Sequence, residues 1–397
     1  MKRIVSSTVL IPIAAVVSAY LLTDTLRAQR NSTALSALPL TVESPADNPT
    51  TLEKVELGRL LFWDPILSGN SDVACSTCHH PDFGYAENID ISIGVDGVGL
   101  GRARQFSPAT TIPFVQRNSQ TVLNTAFNGI DADGYHDPAT APMFWDLRAS
   151  GLEEQALLPI MTLEEMRGHG YSEDEIVHEV VDRLRSISEY HELFSAAFGG
   201  ADPVDAENLG KALAAFQRTL VANNSPFDRY MRGDTAAMSQ LQLRGMREFE
   251  RVGCIDCHSG PMFSDFKLHV LGVGDNAKLP ESDVGFEGTY AFRTPSLRNL
   301  AYTAPYMHSG ILSDLDDVLD FYDRGGRRRG RGRGRGNGSV NVNLDRNQLD
   351  PLFRRLDDVD DSEREIIAFL GALNDDQFDR KIPDFVPSGL NPGGRID

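Results

Sequence analysis

Cysteine is scarce in this chain, four in 397 residues, too few for the disulfide scaffold of a small secreted domain. Tryptophan is scarcer still, with only Trp63 and Trp145. No segment alternates apolar and polar residues over the length of a strand, so little sheet is expected and the fold class reads as mainly α. The longest apolar run, from about Val9 to Leu22, falls short of the ~20 residues that a membrane-spanning helix needs. Positive charge is in deficit, with 38 Lys and Arg against 57 Asp and Glu and a formal net charge of −19. That balance excludes a general affinity for nucleic acid or anionic membranes and favours solubility.

What cysteine there is stands in one pattern. Cys75-Ser76-Thr77-Cys78-His79 and Cys254-Ile255-Asp256-Cys257-His258 both read C-x-x-C-H, the signature of two covalent c-type haems. Two thiols one helical turn apart can add to the two vinyl groups of one porphyrin. The next histidine, His79 or His258, then falls under the iron as proximal ligand. A thioredoxin-like dithiol, a zinc site built from all four cysteines, or disulfides would also use such pairs, but none needs a histidine directly after each.

Residues 1–30 read as a secretory signal or a short uncleaved anchor. Lys2 and Arg3 precede the apolar run, Thr23-Asp24 breaks it, and Val17-Ser18-Ala19 offers a small-residue cleavage site. No stable membrane insertion is expected after cleavage. Export suits covalent haem, whose attachment in Gram-negative bacteria takes place in the periplasm, so a periplasmic location is expected. One segment breaks the acidic average: Gly325 to Gly338 is almost pure arginine and glycine, with seven arginines from Arg324 to Arg335. It reads as a disordered surface insertion, because such a composition cannot bury a core. The alternative is an electrostatic tether for an acidic partner protein.

About 350 residues beyond the signal are enough for two domains, at roughly 100–200 residues each. Thr50 to Glu53, Ser172 to Glu175 and Ser362 to Glu365 fit capping boxes at helix starts. A further helix is expected from about Glu207 to Val221, with Leu209, Leu213, Phe216 and Leu220 on one face. The chain repeats itself once: a helix with Leu57, Gly58 and Leu61 precedes the first motif, and one with Leu241, Gly245 and Phe249 precedes the second. The expected domains are two cytochrome-c-like units, 50–222 and 223–380, with a boundary near Asn223-Asn224-Ser225-Pro226. Residues 108–141, poor in periodicity, read as loops around the first haem and the seam.

Six further segments carry a resemblance: Leu61-Phe62-Trp63-Asp64-Pro65, Phe144-Trp145-Asp146-Leu147-Arg148, Leu152-Glu153-Glu154-Gln155-Ala156, Asn224-Ser225-Pro226-Phe227-Asp228, Phe292-Arg293-Thr294-Pro295-Ser296-Leu297-Arg298-Asn299 and Thr303-Ala304-Pro305-Tyr306-Met307-His308. In this order, from about residue 50 to 380, they resemble the bacterial di-haem cytochrome c peroxidase family. The resemblance implies an N-terminal peroxidatic haem, a C-terminal electron-transfer haem and a calcium ion between the domains. It also implies Glu153 as the distal acid, His308 beside the second haem, and calcium ligands at Asn118, Thr303 and Pro305. Within the family, ordinary peroxidases carry a methionine ligand fourteen residues after the histidine of Pro-Tyr-x-His, and the MauG branch carries tyrosine; counting from His308 gives Tyr322. The chain therefore looks MauG-like.

The residues themselves leave alternatives open. Leu315, Val318, Leu319 and Tyr322 share one helical face, so Tyr322 also reads as a core tyrosine, with Met307 as the next ligand candidate. Glu153 also reads as a solvent-facing helix-start residue. No histidine stands between His80 and His136, so the first iron is expected to be open rather than blocked by a loop histidine. Three positions depart from the family pattern. Met143 replaces the distal glutamine, Leu147 stands where peroxidases have glycine and MauG has proline, and the bridging tryptophan falls on Asp133, with Tyr135 as a nearby substitute. His80, His136, His169, His178, His191 and His269 match no family role and read as ordinary surface or core residues.

The function these observations imply is a di-haem oxidoreductase that uses hydrogen peroxide. Its electrons would come from a small cytochrome or copper protein, or from a protein substrate. A non-enzymatic electron carrier with both irons six-coordinate is the alternative, and an oxygenase acting on a small organic substrate is a third.

Overall fold

The computed structural model describes residues 35–323, 340–356 and 359–397. The expected signal, 1–30, and the Arg/Gly-rich insertion, 325–338, lie outside the described residues. Helices dominate: α1 Leu52–Trp63, α2 Gly151–Gln155, α3 Glu173–Arg185, α4 Ser188–Phe198, α5 Ala206–Gln217, α6 Pro226–Met231, α7 Gln240–Arg251, α8 Leu315–Asp323 and α9 Glu363–Gly371. Sheet among the described residues amounts to three antiparallel ladders: β1 Gly97–Val98 with β2 Gln105–Phe106, β3 Pro142–Met143 with β4 Ala149–Ser150, and β5 Leu268–His269 with β6 Phe292–Arg293. Among those residues no helix is long and apolar enough to cross a membrane.

The helix starts follow local hydrogen bonding, with corrections to two of the expected caps. Ser172 and Glu175 form the expected box, the Glu175 carboxylate accepting the Ser172 N–H at 3.1 Å. At α1 the cap is Thr51, whose hydroxyl accepts the Lys54 N–H at 3.3 Å, because the Thr50 hydroxyl is already bonded to Ser44 at 3.0 Å. At α9 Ser362 is the first flanking residue, but its hydroxyl donates to Glu248 at 2.8 Å and accepts from Arg251 at 3.0 Å. That bond ties α9 to α7 in place of a box. The helix expected over Glu207 to Val221 ends at Gln217, although Leu220 stays in the core.

Two helix crossings repeat the same device. A Cβ on Gly58 would overlap the Ala212 carbonyl of α5, and one on Gly245 would overlap the Glu365 carbonyl of α9. Only glycine lets the two backbones approach so closely. Around the first crossing, Leu57, Leu61, Phe62 and Trp63 pack with Leu209, Leu213 and Phe216. Around the second, Phe227, Phe249, Phe263 and Phe369 meet edge to face at centroid distances of 5.0 to 6.2 Å, the preferred geometry for ring quadrupoles. Beside those rings a bidentate pair joins Arg298 to Asp228 at 2.8 and 3.0 Å, both residues fully buried.

The chain after α9 returns across the first crossing as a strap. Asp379 pairs with Arg59 at 2.6 Å, Ser388 donates to Asp64 at 2.7 Å, and the Gly393 carbonyl accepts from Thr77 at 2.8 Å. Thr77 lies inside the first C-x-x-C-H pentapeptide, so the strap fixes that turn from outside.

Candidate functional site

Both pentapeptides form a single tight turn. The His79 N–H donates to the Cys75 carbonyl at 3.0 Å and the His258 N–H to the Cys254 carbonyl at 2.9 Å. The His79 Nδ1 lies 3.1 Å from the Tyr85 carbonyl and the His258 Nδ1 2.9 Å from the Phe263 carbonyl. A carbonyl at Nδ1 fixes the proton there, which leaves Nε2 as the ligand atom, the usual arrangement behind a metal-binding histidine. Burial pushes His79 down to about 4 and His258 down as well, so both imidazoles are neutral, as a ligand must be. No disulfide joins any of the four cysteines. Burial pushes Cys75 and Cys254 up to about 12.

One cavity of about 620 Å3 is lined by both turns. Its wall carries Cys75, Cys78 and His79 of the first turn and Cys254, Cys257 and His258 of the second. These residues fit two porphyrins: the thiols are unpaired, the imidazoles are oriented, and the space between is shared. A zinc site shared by the two cysteine pairs does not fit: among the described residues, the one group of three or more His, Cys, Asp or Glu side chains close enough to share an ion is Cys257, Asp265 and His269.

The face of α8 read from the sequence is the cavity wall. Leu315, Val318, Leu319 and Tyr322 all line it. Burial raises the Tyr322 phenol far above its ordinary range, with Cys254 and Cys257 adding to the effect, and its ring packs edge-on against Phe321 and Phe353. Met307 lines the same wall, at a positive φ of 70°.

Around the first turn, Met143 is buried, lines the cavity and has its sulfur 3.4 Å from the Asn128 amide. Leu147 has φ 59°, the left-handed region that glycine occupies freely. Glu153 does not line the cavity. Its carboxylate accepts from Arg218 at 2.7 Å and from Asn48 at 2.6 Å. The acids that do line it on this side are Asp146, Glu164 and Glu165. Burial pushes Glu165 up to about 7, so that carboxyl is divided between its protonated and ionised forms near neutral pH.

Between the two turns stands an aromatic and charged seam. The His308 ring stacks on Phe292 with centroids 3.6 Å apart, and Trp145 meets His308 edge-on at 6.3 Å. Burial pushes His308 down to about 4. The Trp145 Nε1 donates to the Asn118 carbonyl at 3.0 Å. Asn118, Thr303 and Pro305, the expected calcium ligands, all line this part of the cavity, and the Asn118 amide donates to the carbonyls of Ile89 and Asp90 at 2.9 and 3.1 Å. Tyr135, the expected substitute for a bridging tryptophan, is 72% exposed, because its loop turns outward around Asp131. Trp145, by contrast, lines the cavity beside His308.

His269, which matched no family role in the sequence, stands in the cavity wall. It is clamped between Asp265 at 3.0 Å and Asp350 at 2.7 Å, and is held up to about 11 by Asp265 first, then Cys257 and Asp350. His80 is buried against Trp63, with ring centroids 5.6 Å apart. His169, His178 and His191 are exposed.

Residues 52–236 match the family model described as di-haem cytochrome c peroxidase. The chain is 38% identical over 298 residues to the methylamine utilization protein MauG of Methylorubrum extorquens, covering 73% of this chain and 74% of that protein. It is 36% identical over 328 residues to the cytochrome-c peroxidase IdrP1 of Pseudomonas sp. strain SCT, covering 74% and 77%. A solved MauG-like protein associated with microbial copper homeostasis superimposes with a TM-score of 0.67 at 27% identity, over 85% of this chain and 95% of that one.

Proposed function

Because this chain belongs to the di-haem cytochrome c peroxidase family and is an oxidoreductase with two haem cofactors, we propose that it is a periplasmic enzyme that uses hydrogen peroxide to oxidise a donor protein, in the manner of the MauG-like branch. The observation that carries this reading is the single cavity lined by both C-x-x-C-H turns. Bound there, the haems would supply peroxide reduction at one iron and electron transfer at the other. Cys75 and Cys78 would hold the first and Cys254 and Cys257 the second. His79 and His258 would be the proximal ligands, each kept in the ligating tautomer by its carbonyl. Tyr322 would be a further protein ligand at the C-terminal site, a reading supported by its place in the lining of the cavity that also holds Cys254, Cys257 and His258. Residues 50–222 and 223–380 would each form one cytochrome-c-like unit, a reading supported by the repeated glycine crossing. Calcium at Asn118, Thr303 and Pro305 belongs to the same reading. The donor would be a small cytochrome, a copper protein or a protein substrate.

For the proton that peroxide cleavage needs, the motif resemblance implies Glu153 as general acid. A specific observation favours a second candidate: Glu165 lines the cavity and is raised by burial to about 7, so it can give and take a proton near neutral pH, whereas Glu153 is engaged by Arg218. Stopped-flow mixing of the ferric protein with peroxide tests both. Glu153→Gln should slow the reaction about 10²–10⁴-fold with little change in the resting spectrum, the usual span for losing a general acid. An unchanged rate in Glu153→Gln together with a slow Glu165→Gln assigns the acid to Glu165. A protein inert to peroxide, with both irons six-coordinate, would instead be an electron carrier.

A further inference from the structure

Three guanidinium groups line the cavity among the described residues: Arg117, Arg148 and Arg293. Two are neutralised by carboxylates. Arg117 sits between Asp146 at 2.6 Å and Asp283 at 2.5 Å, and Arg148 pairs with Asp146 at 2.9 Å while lying over the Phe144 ring. Arg293 has only neutral acceptors among the described residues. Its Nε donates to the Phe144 carbonyl at 2.8 Å and one terminal nitrogen to the Gln120 side chain at 3.2 Å. It is 5% exposed, so bulk water does not replace the missing counter-charge. Burial alone pulls its pKa down to about 10.

A buried cation with no anion beside it is costly unless a ligand supplies one. Each haem brings two propionate carboxylates, and the planar fork of arginine matches a carboxylate with two parallel hydrogen bonds. The placement of Arg293 adds to this. Its backbone lies on β6, paired with the strand that carries His269, while its side chain reaches the Phe144 and Gln120 loops of the first half. It therefore stands where the two haem sites meet.

We propose that Arg293 anchors a haem propionate at the seam between the two C-x-x-C-H sites. The inference rests on the di-haem reading above. The anchor has an electrostatic consequence: a fixed positive charge against a propionate offsets its negative charge near the iron, and removing it favours the oxidised metal. Either haem could supply the carboxylate, and the experiment separates them.

The test uses the mature protein and its Arg293→Gln and Arg293→Lys variants. Mass spectrometry first counts the attached haems; their absence from the unsubstituted protein would overturn the di-haem reading rather than the anchor alone. Resonance Raman propionate bands and spectroelectrochemical titration of each haem then read the anchor. Arg293→Gln should shift one propionate band and lower the midpoint potential of the same haem, and the identity of that haem names the source. Arg293→Lys, which keeps the charge but loses the fork, should shift the band with a smaller change in potential. If the glutamine variant fails to mature, the lysine variant decides by its band. In the unsubstituted protein one propionate should also resist protonation to lower pH than the others. Unshifted bands and potentials in loaded variants, or propionates that all titrate together, would overturn the proposal.

Discussion

Tyr322 puts a phenol into an apolar wall beside Cys254 and Cys257, where burial holds the free hydroxyl firmly protonated. An iron within reach would reverse that preference by taking the phenolate, and the resulting anion would favour the ferric state. Tyr322→Met should raise the potential of the second haem, because a neutral thioether does not compensate ferric charge. Potentiometry and low-spin EPR check this. Unchanged signals would make Tyr322 a core residue and Met307 the candidate ligand. Glu87 tests burial behind the first turn, where its carboxyl lies beside Cys78 and Ser92 of the cavity wall. Burial pushes its carboxyl from 4.5 up to about 7, against Ser92 and Arg104, at 1% exposure. A raised folded-state pKa means that the protonated form favours folding: its contribution is full below about pH 4.5 and is lost as pH rises through about 7. The loss is of order 3 kcal/mol for roughly 2.5 pKa units. Glu87→Gln should therefore flatten the fall in stability across that window, seen as a difference between denaturant titrations of the two proteins. A parallel pH dependence in both would contradict it. Cys75, His79, Cys254 and His258 were legible because their chemistry is written in five adjacent residues. Arg293, Glu165 and His269 were not, since what distinguishes them is desolvation and partners far away in the chain, such as Asp350.

At the scale of elements, the two helix crossings depend on glycine. Gly58 on α1 and Gly245 on α7 each lie against a carbonyl of the partner helix, and a Cβ at either place cannot fit without separating the backbones. Gly58→Ala and Gly245→Ala should each destabilise the protein by about 1–3 kcal/mol or more, as overpacking does, although alanine is the better helix former. Thermal unfolding of the two variants checks the direction; stabilisation by either would contradict the crossing geometry. The helical periodicity of α1, α5, α7 and α8 was readable from apolar spacing, and the α8 face proved to be the cavity wall. The caps were less readable. Thr50 and Ser362 have the right residue types, but Ser44 and Glu248, brought up by tertiary folding, claim their hydroxyls.

For the whole molecule, the central feature is that one chain closes two similar turns around one space. The seam of Trp145, His308 and Phe292 lies between them, and the strap through Gly393 holds the first turn from outside. The repeat of motif and preceding helix was visible in the sequence. The seam was not, because the bridging tryptophan was sought on the loop near Asp133 and Tyr135, which turns out to solvent. The most direct test of the account is intact mass spectrometry of the mature protein with pyridine haemochrome spectra, alongside a Cys257→Ala variant. The account predicts the added mass of two covalent haems, and in the variant disturbed attachment at the second motif only. A haem-free protein holding zinc on its cysteines would contradict it.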